Sequence, residues 1–239
     1  MQKMMTFVFT LVLMSALNAD DLRIIAHYTF DNDNGKTVLT DSGPNKLDAV
    51  LFSETAGAKI VTVDGKAGKA LQLDNTTLMR FDLPVNPAVN ELKPPYTIAF
   101  WAKTDVVNKR MTVIGCYADT GFEGFGAFIC WQMLDYRWGV NNANKLLTTD
   151  RFTVLKGEFQ HFAVVNDGSR ITLYINAEPM KSLEGAADLI PAACRRKLAI
   201  GNCPGTRMNA YPFTGLLDDL YIIGKALNAD EIMDIASAK

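Results

Sequence analysis

The stretch EFQHFAVVNDGSRITLYINAEPM, residues 158–180, carries apolar residues in alternation on both sides of Asp167-Gly168. Alternation of period two marks strands with one buried face, and Asp-Gly between two such runs marks a hairpin turn. With Asn166 facing Ser169, Phe162, Val164, Ile171, Leu173 and Ile175 fall on one face. His161, Val165, Arg170, Thr172 and Tyr174 fall on the other, with His161 across from Tyr174. The first face is uniformly apolar and predicts a core; the second is mixed.

Outward from the hairpin, short β-rich runs recur at 23–30, 48–52, 58–63, 69–73 and 78–83, and again at 111–117, 127–133, 136–140, 197–201 and 215–223. Clusters of Gly, Asn, Asp and Pro separate them, which is the punctuation of an all-β sandwich. YTIAFWAK, residues 96–103, is nearly continuous in apolar residues and predicts a central strand, with Ile98, Phe100 and Ala102 facing one way and Trp101 the other. Only the end reads as helix: Asn228 can cap, Glu231 completes a capping box, and Ile232, Ile235 and Ala236 recur at helical spacing. The fold class predicted is therefore a two-sheet antiparallel β-sandwich with a short C-terminal helix.

At the other end, Lys3 precedes an apolar run over residues 4–17 and then Asn18-Ala19, the pattern of a secretory signal peptide cleaved after Ala19. The run is too short to span a bilayer comfortably, so no stable membrane insertion is expected after cleavage. Residues 20–239 then form one domain of 220 residues, long enough for a sizeable single core. A formal charge of −2 with no basic stripe argues against a nucleic-acid surface. The chain is expected in a secreted or periplasmic location, where four cysteines are more often paired than metal-bound. Three pairings are possible. The local one joins Cys116 to Cys130 and Cys194 to Cys203, each pair bracketing a loop.

The order of motifs resembles the laminin G-like, concanavalin A-like lectin/glucanase jelly rolls of secreted bacterial proteins. The pieces are HYTFDND with TDSGPN, DGKAGKALQLDN, YTIAFWAK, FQHFAVVNDGSRITLYINAEP, KLAIGN and FTGLLDDLYIIGKALNADEI. Two departures stand out: Phe159 where the family commonly has Trp, and Asn176-Ala177 in place of Asp-Gly. Because Ala tolerates φ > 0 poorly, that second turn is expected to be of another type.

The resemblance implies a structural calcium where the first and last strands meet. Asp31 and Asp218 match the family's positions, and the cluster at Asp41 could add oxygens. In the alternative, Asp31 and Asp41 shape turns and Asp218 pairs locally. The loop after Asp31 is not an EF-hand, since Lys36 and Ser42 replace the required Gly and Glu.

Catalysis has little support. The sugar-cleaving relatives need two carboxyl groups facing one bond, and no Glu-x-Asp-x-Glu strand occurs. Asp218 and Asp219 are adjacent and would point to opposite faces of a strand. Remote pairs such as Glu123 with Glu158 stay open. Neither hydrolase triad nor zincin patterns are present, and His161 reads as a buried, hydrogen-bonded imidazole. Sugar-binding surfaces stack aromatic rings on pyranoses, which makes Trp131, Tyr136, Trp138 and Tyr211 the candidate contacts. The reading is a secreted, non-catalytic, lectin-like module for a glycan or cell-surface ligand. A glycosidase of the same fold and an adhesive protein-binding domain are the alternatives, and oligomeric state is left open.

Overall fold

The computed structural model describes residues 22–74, 79–117, 123–185, 188–204 and 211–238. The leader expected over residues 1–19 lies outside them. Two antiparallel sheets of eight strands pack face to face. In the first, the strand order runs β14 (Glu178–Glu184), β13 (Arg170–Ile175), β12 (Gln160–Asn166), β7 (Tyr96–Lys103), β16 (Gly215–Ile223), β5 (Lys69–Leu73) and β4 (Val61–Asp64). β1 (Ile24–Tyr28) pairs with β16, so the first and last strands of the sandwich are neighbours. The second sheet runs β11 (Ala143–Thr148), β10 (Met133–Val140), β9 (Phe125–Cys130), β8 (Arg110–Gly115), β15 (Ala199–Ile200), β6 (Arg80–Asp82), β3 (Ala49–Phe52) and β2 (Val38–Leu39).

The hairpin that opens the reading is β12–β13, but its turn is wider than expected. Asn166 faces Ile171 rather than Ser169, and His161 lies beside Asn176 instead of Tyr174. The cause is the Asp167 carboxylate, which accepts from Ser169 N, Ser169 Oγ and Arg170 N and so shapes the turn between Asn166 and Arg170. A slip of two residues preserves parity. Phe162, Val164, Ile171, Leu173 and Ile175 therefore still face the core.

Asn176 and Ala177 both have positive φ, at 52° and 64°, in a two-residue turn between β13 and β14. The left-handed turn expected to be avoided is thus present. Asn176 Oδ1 accepts from His161 N at 2.9 Å, and the Ala177 methyl is buried among Ile232, Ile235 and Val165. Burial and that hydrogen bond offset a backbone conformation that alanine alone disfavours.

The main core lies between the sheets, around Tyr28, Phe30, Phe81, Phe100, Phe162, Tyr136 and Trp138. A buried polar link crosses it: Tyr96 Oη and Tyr136 Oη are 2.5 Å apart, and Asn166 Nδ2 donates to Tyr96 Oη at 3.1 Å. A satisfied link of this kind fixes how one sheet sits on the other. The outer face of the first sheet is covered by the C-terminal helix, α2 (Ala229–Ser237), while α1 (Pro87–Asn90) is a single turn before β7. The predicted capping box at Asn228 and Glu231 is present, and Ile232 and Ile235 pack on Ala99, Ala163 and Tyr221. Among the described residues, no helix is long and apolar enough to cross a membrane.

Candidate functional site

β9 and β10 are joined by a two-residue turn in which Trp131 and Gln132 both have positive φ, at 49° and 63°. Such turns favour Asn and Gly, and a bulky aromatic there holds strain of about 1–3 kcal/mol. The consequence is positional: Trp131 stands off the end of the second sheet, 49% exposed. Arg110, at the start of β8, pairs with Cys130 and therefore lies next to this turn. From the segment before β16, Tyr211 anchors itself by accepting from Thr112 N at 2.8 Å. The Arg110 guanidinium lies 4.8 Å from the Tyr211 ring centroid.

Asn108, Lys109, Arg110, Trp131, Tyr211 and Pro212 line one open cleft of about 330 Å³. Two rings supply apolar faces, and amide, ammonium and guanidinium supply donors. That combination suits a ligand that is apolar on its faces and rich in acceptors at its edge. The buried Cys130 thiol nearby is pushed up to about 11, chiefly by burial and then by Asp135, so it is no nucleophile at neutral pH.

Of the four aromatic candidates, the cleft gathers Trp131 and Tyr211. Tyr136 and Trp138 are fully buried between the sheets and cannot meet a ligand. Trp138 Nε1 donates to Asp188 O at 2.7 Å, and Tyr136 belongs to the inter-sheet link with Tyr96. The sequence does hold the distinguishing signal: Leu134, Tyr136, Trp138 and Val140 alternate with Asp135 and Arg137, so the rings share the core-facing parity. Asn108, Lys109 and Arg110 carry no such signal in the sequence, and only the pairing of β8 with β9 brings them to Trp131.

Among the described residues, no group of three or more His, Cys, Asp or Glu side chains is gathered for a metal ion. Asp41 accepts from Gly43 N and Leu47 N in its own loop and from His27 N on β1, at 2.7–2.8 Å, with both oxygens engaged. Asp31 Oδ1 accepts from Lys69 N at 2.7 Å. Asp218 Oδ2 accepts from Lys66 N at 2.9 Å and Ala67 N at 3.1 Å. Asp31 and Asp218 thus grip one turn, residues 65–68, between β4 and β5. A Cβ on Gly65 would overlap Asp218 Oδ2, and one on Gly68 would overlap Asp31 Oδ1. Calcium needs six to eight oxygens. The backbone N–H groups that face these carboxylate oxygens are what the turn-shaping alternative expects of Asp31 and Asp41.

The cysteine pairing also differs from the local one. Cys116, just after β8, is joined to Cys194 across 78 residues. Cys130 keeps a buried thiol, and Cys203 Sγ lies 2.7 Å from Tyr117 O. Hairpin β9–β10 sends Cys130 to the opposite end of β9 from Cys116, since Arg110 pairs with Cys130 whereas Gly115 pairs with Gly126.

A second cleft, of about 340 Å³, lies on the outer face of the first sheet and is lined by Lys66, Trp101, His161, Asn176 and α2. Among the described residues, neither cleft is lined by a carboxyl side chain. Of the remote glutamates, Glu123 pairs with Arg195 at 3.3 Å and Glu158 is exposed.

Comparison with known proteins agrees with this architecture. The fourth domain of an extracellular GH43 arabinanase from Geobacillus stearothermophilus, solved with arabinotriose, is 23% identical with a TM-score of 0.66, over 90% of this chain and 98% of that one. The receptor-binding domain of botulinum neurotoxin D is 16% identical with a TM-score of 0.64, over 90% of this chain and 52% of its own. The binding domain of Paraclostridial Mosquitocidal Protein 1 is 19% identical with a TM-score of 0.67, over 90% and 52%. This chain spans about half of each toxin binding domain, and at such identities the likeness is one of fold. No curated protein sequence matches. A profile of the concanavalin A-like lectin/glucanases superfamily covers residues 81–233, which is most of the sandwich from β6 into α2. The chain belongs to the laminin G-like branch of that superfamily.

Proposed function

We propose that the protein is a non-catalytic carbohydrate-binding module, with Trp131 and Tyr211 as its stacking platform. The observation that carries this reading is the exposed Trp131 held in a left-handed turn beside Tyr211, Arg110, Lys109 and Asn108. Strained aromatics in left-handed turns persist where the surroundings fix them, and such positions concentrate at ligand sites. Pyranose rings offer C–H faces to the aromatics and hydroxyls to the donors around them. Cleavage needs a carboxyl pair flanking the bond, and the described residues lining this cleft include none. The arabinanase domain was solved with arabinotriose, which supports a sugar as the ligand class. The Cys116–Cys194 link supports an oxidising, extracytoplasmic location.

A glycan array probed with the wild type and with Trp131→Ala tests it. Retained folding with at least a tenfold loss of sugar affinity, about 1.4 kcal/mol, is the expected result. A folded wild type that binds no glycan would move the reading to protein contact. Release of reducing ends from a polysaccharide would make it an enzyme.

A further inference from the structure

The second cleft shares no residue with the aromatic platform and lies on the other sheet. Four separate parts of the chain build it. His161 on β12 and Trp101 on β7 are cross-strand partners and form the floor, their rings meeting edge to face at 5.3 Å. Asn176 comes from the β13–β14 turn, and Met233, Ala236 and Ser237 come from α2. Lys66 and Ala67 enter from the β4–β5 turn, which Asp218 clamps through their backbone N–H groups. The backbone from which the Lys66 side chain extends is therefore fixed before any ligand arrives.

Three features ask for a partner. The His161 side chain is 1% exposed, yet its Nδ1 is buried with no hydrogen-bond partner. An unmet polar atom of that kind costs about 1–3 kcal/mol, and a bound polar group could recover part of it. Lys66 Nζ stands 5.0 Å from the Trp101 ring centroid and forms no ion pair with a carboxylate among the described residues. Finally, Trp101, Met233, Ala67 and Ala236 give the cleft apolar walls, with Met233 46% exposed.

We propose that this cleft is a second binding site, taking a small organic monocarboxylate whose apolar body lies against Trp101 and Met233. The carboxylate would accept from Lys66 Nζ and from the amide of Asn176, whose Oδ1 is already held by His161 N. Among the described residues the lining offers donors and no acidic side chain. Its single full charge, Lys66, matches one negative charge rather than two, because burial draws the His161 pKa down to about 4 and leaves the ring neutral. A volume of about 340 Å³ restricts the occupant to small-molecule size.

Benzoate is the probe, with benzamide as its uncharged isostere, followed by NMR shifts of the Trp101 indole and His161 imidazole and by calorimetry. Benzoate should bind saturably and perturb both rings, while benzamide binds far more weakly. Lys66→Met should weaken benzoate by about tenfold, and the charge-matched surface change Lys59→Met should leave it unaltered. Unchanged melting of Lys66→Met shows that the loss is not unfolding. Equal binding of benzoate and benzamide, no saturable shift, or full affinity in Lys66→Met would each overturn the site.

Discussion

His161 is held neutral by its surroundings. Burial lowers its pKa from 6.5 to about 4, against the opposing pull of the Asp219 carboxylate. The unfolded chain therefore takes up a proton first as pH falls. The stabilisation is complete above pH 6.5 and is lost progressively between 6.5 and 4. Between pH 7 and 5 the wild type should lose about 2 kcal/mol more stability than His161→Phe, which has no proton to bind. Urea denaturation at the two pH values measures this. Parallel losses in both proteins would mean that the imidazole does not titrate as a buried group.

The β4–β5 turn has its own expectation. Asp218, in the middle of β16, holds it through two charge-assisted hydrogen bonds. Asp218→Ala should lower stability by about 2–4 kcal/mol. Because backbone amides face Oδ2, the melting temperature should fall in chelator as well as in calcium. A drop confined to calcium buffer would restore the ion.

Strands and their faces were legible in the residues because side-chain parity survives an error of two in register. That is why Asn166 could move from Ser169 to Ile171 without exposing Phe162 or Val164. Turns were less legible. Whether Asn176-Ala177 can be left-handed depends on what buries the Ala177 methyl, and its neighbours Ile232 and Ile235 lie over fifty residues further on. The candidate site was half legible for the same reason. Trp131 and Tyr211 are aromatic in any context, but Arg110 joins them only through pairing with Cys130, and Lys66 reaches Trp101 only across the sheet.

The sandwich as a unit is tied by the bond between Cys116 and Cys194. Closing 78 residues should restrict the unfolded chain by about 4.5 kcal/mol in the loop-entropy account. Cys116→Ser with Cys194→Ser should show most of that loss in denaturant. Non-reducing peptide mapping should recover one cross-linked pair containing Cys116 and Cys194. Recovery of Cys116 with Cys130 would contradict the fold at β9. The reduced protein is expected to keep its two-sheet core, since the Tyr96–Tyr136 link and the packing around Phe100 and Phe162 do not depend on sulfur.

The outermost strand of the first sheet, β14, has every residue exposed and carries Glu178, Pro179, Lys181 and Glu184. Proline offers no amide to a visiting strand, like charges repel an identical copy, and the irregular register opposite Leu173 and Tyr174 bends the rim. Such a margin discourages neighbouring molecules from zipping together into ribbons. At high concentration the protein should stay dispersed, leaving both clefts open to whatever diffuses past.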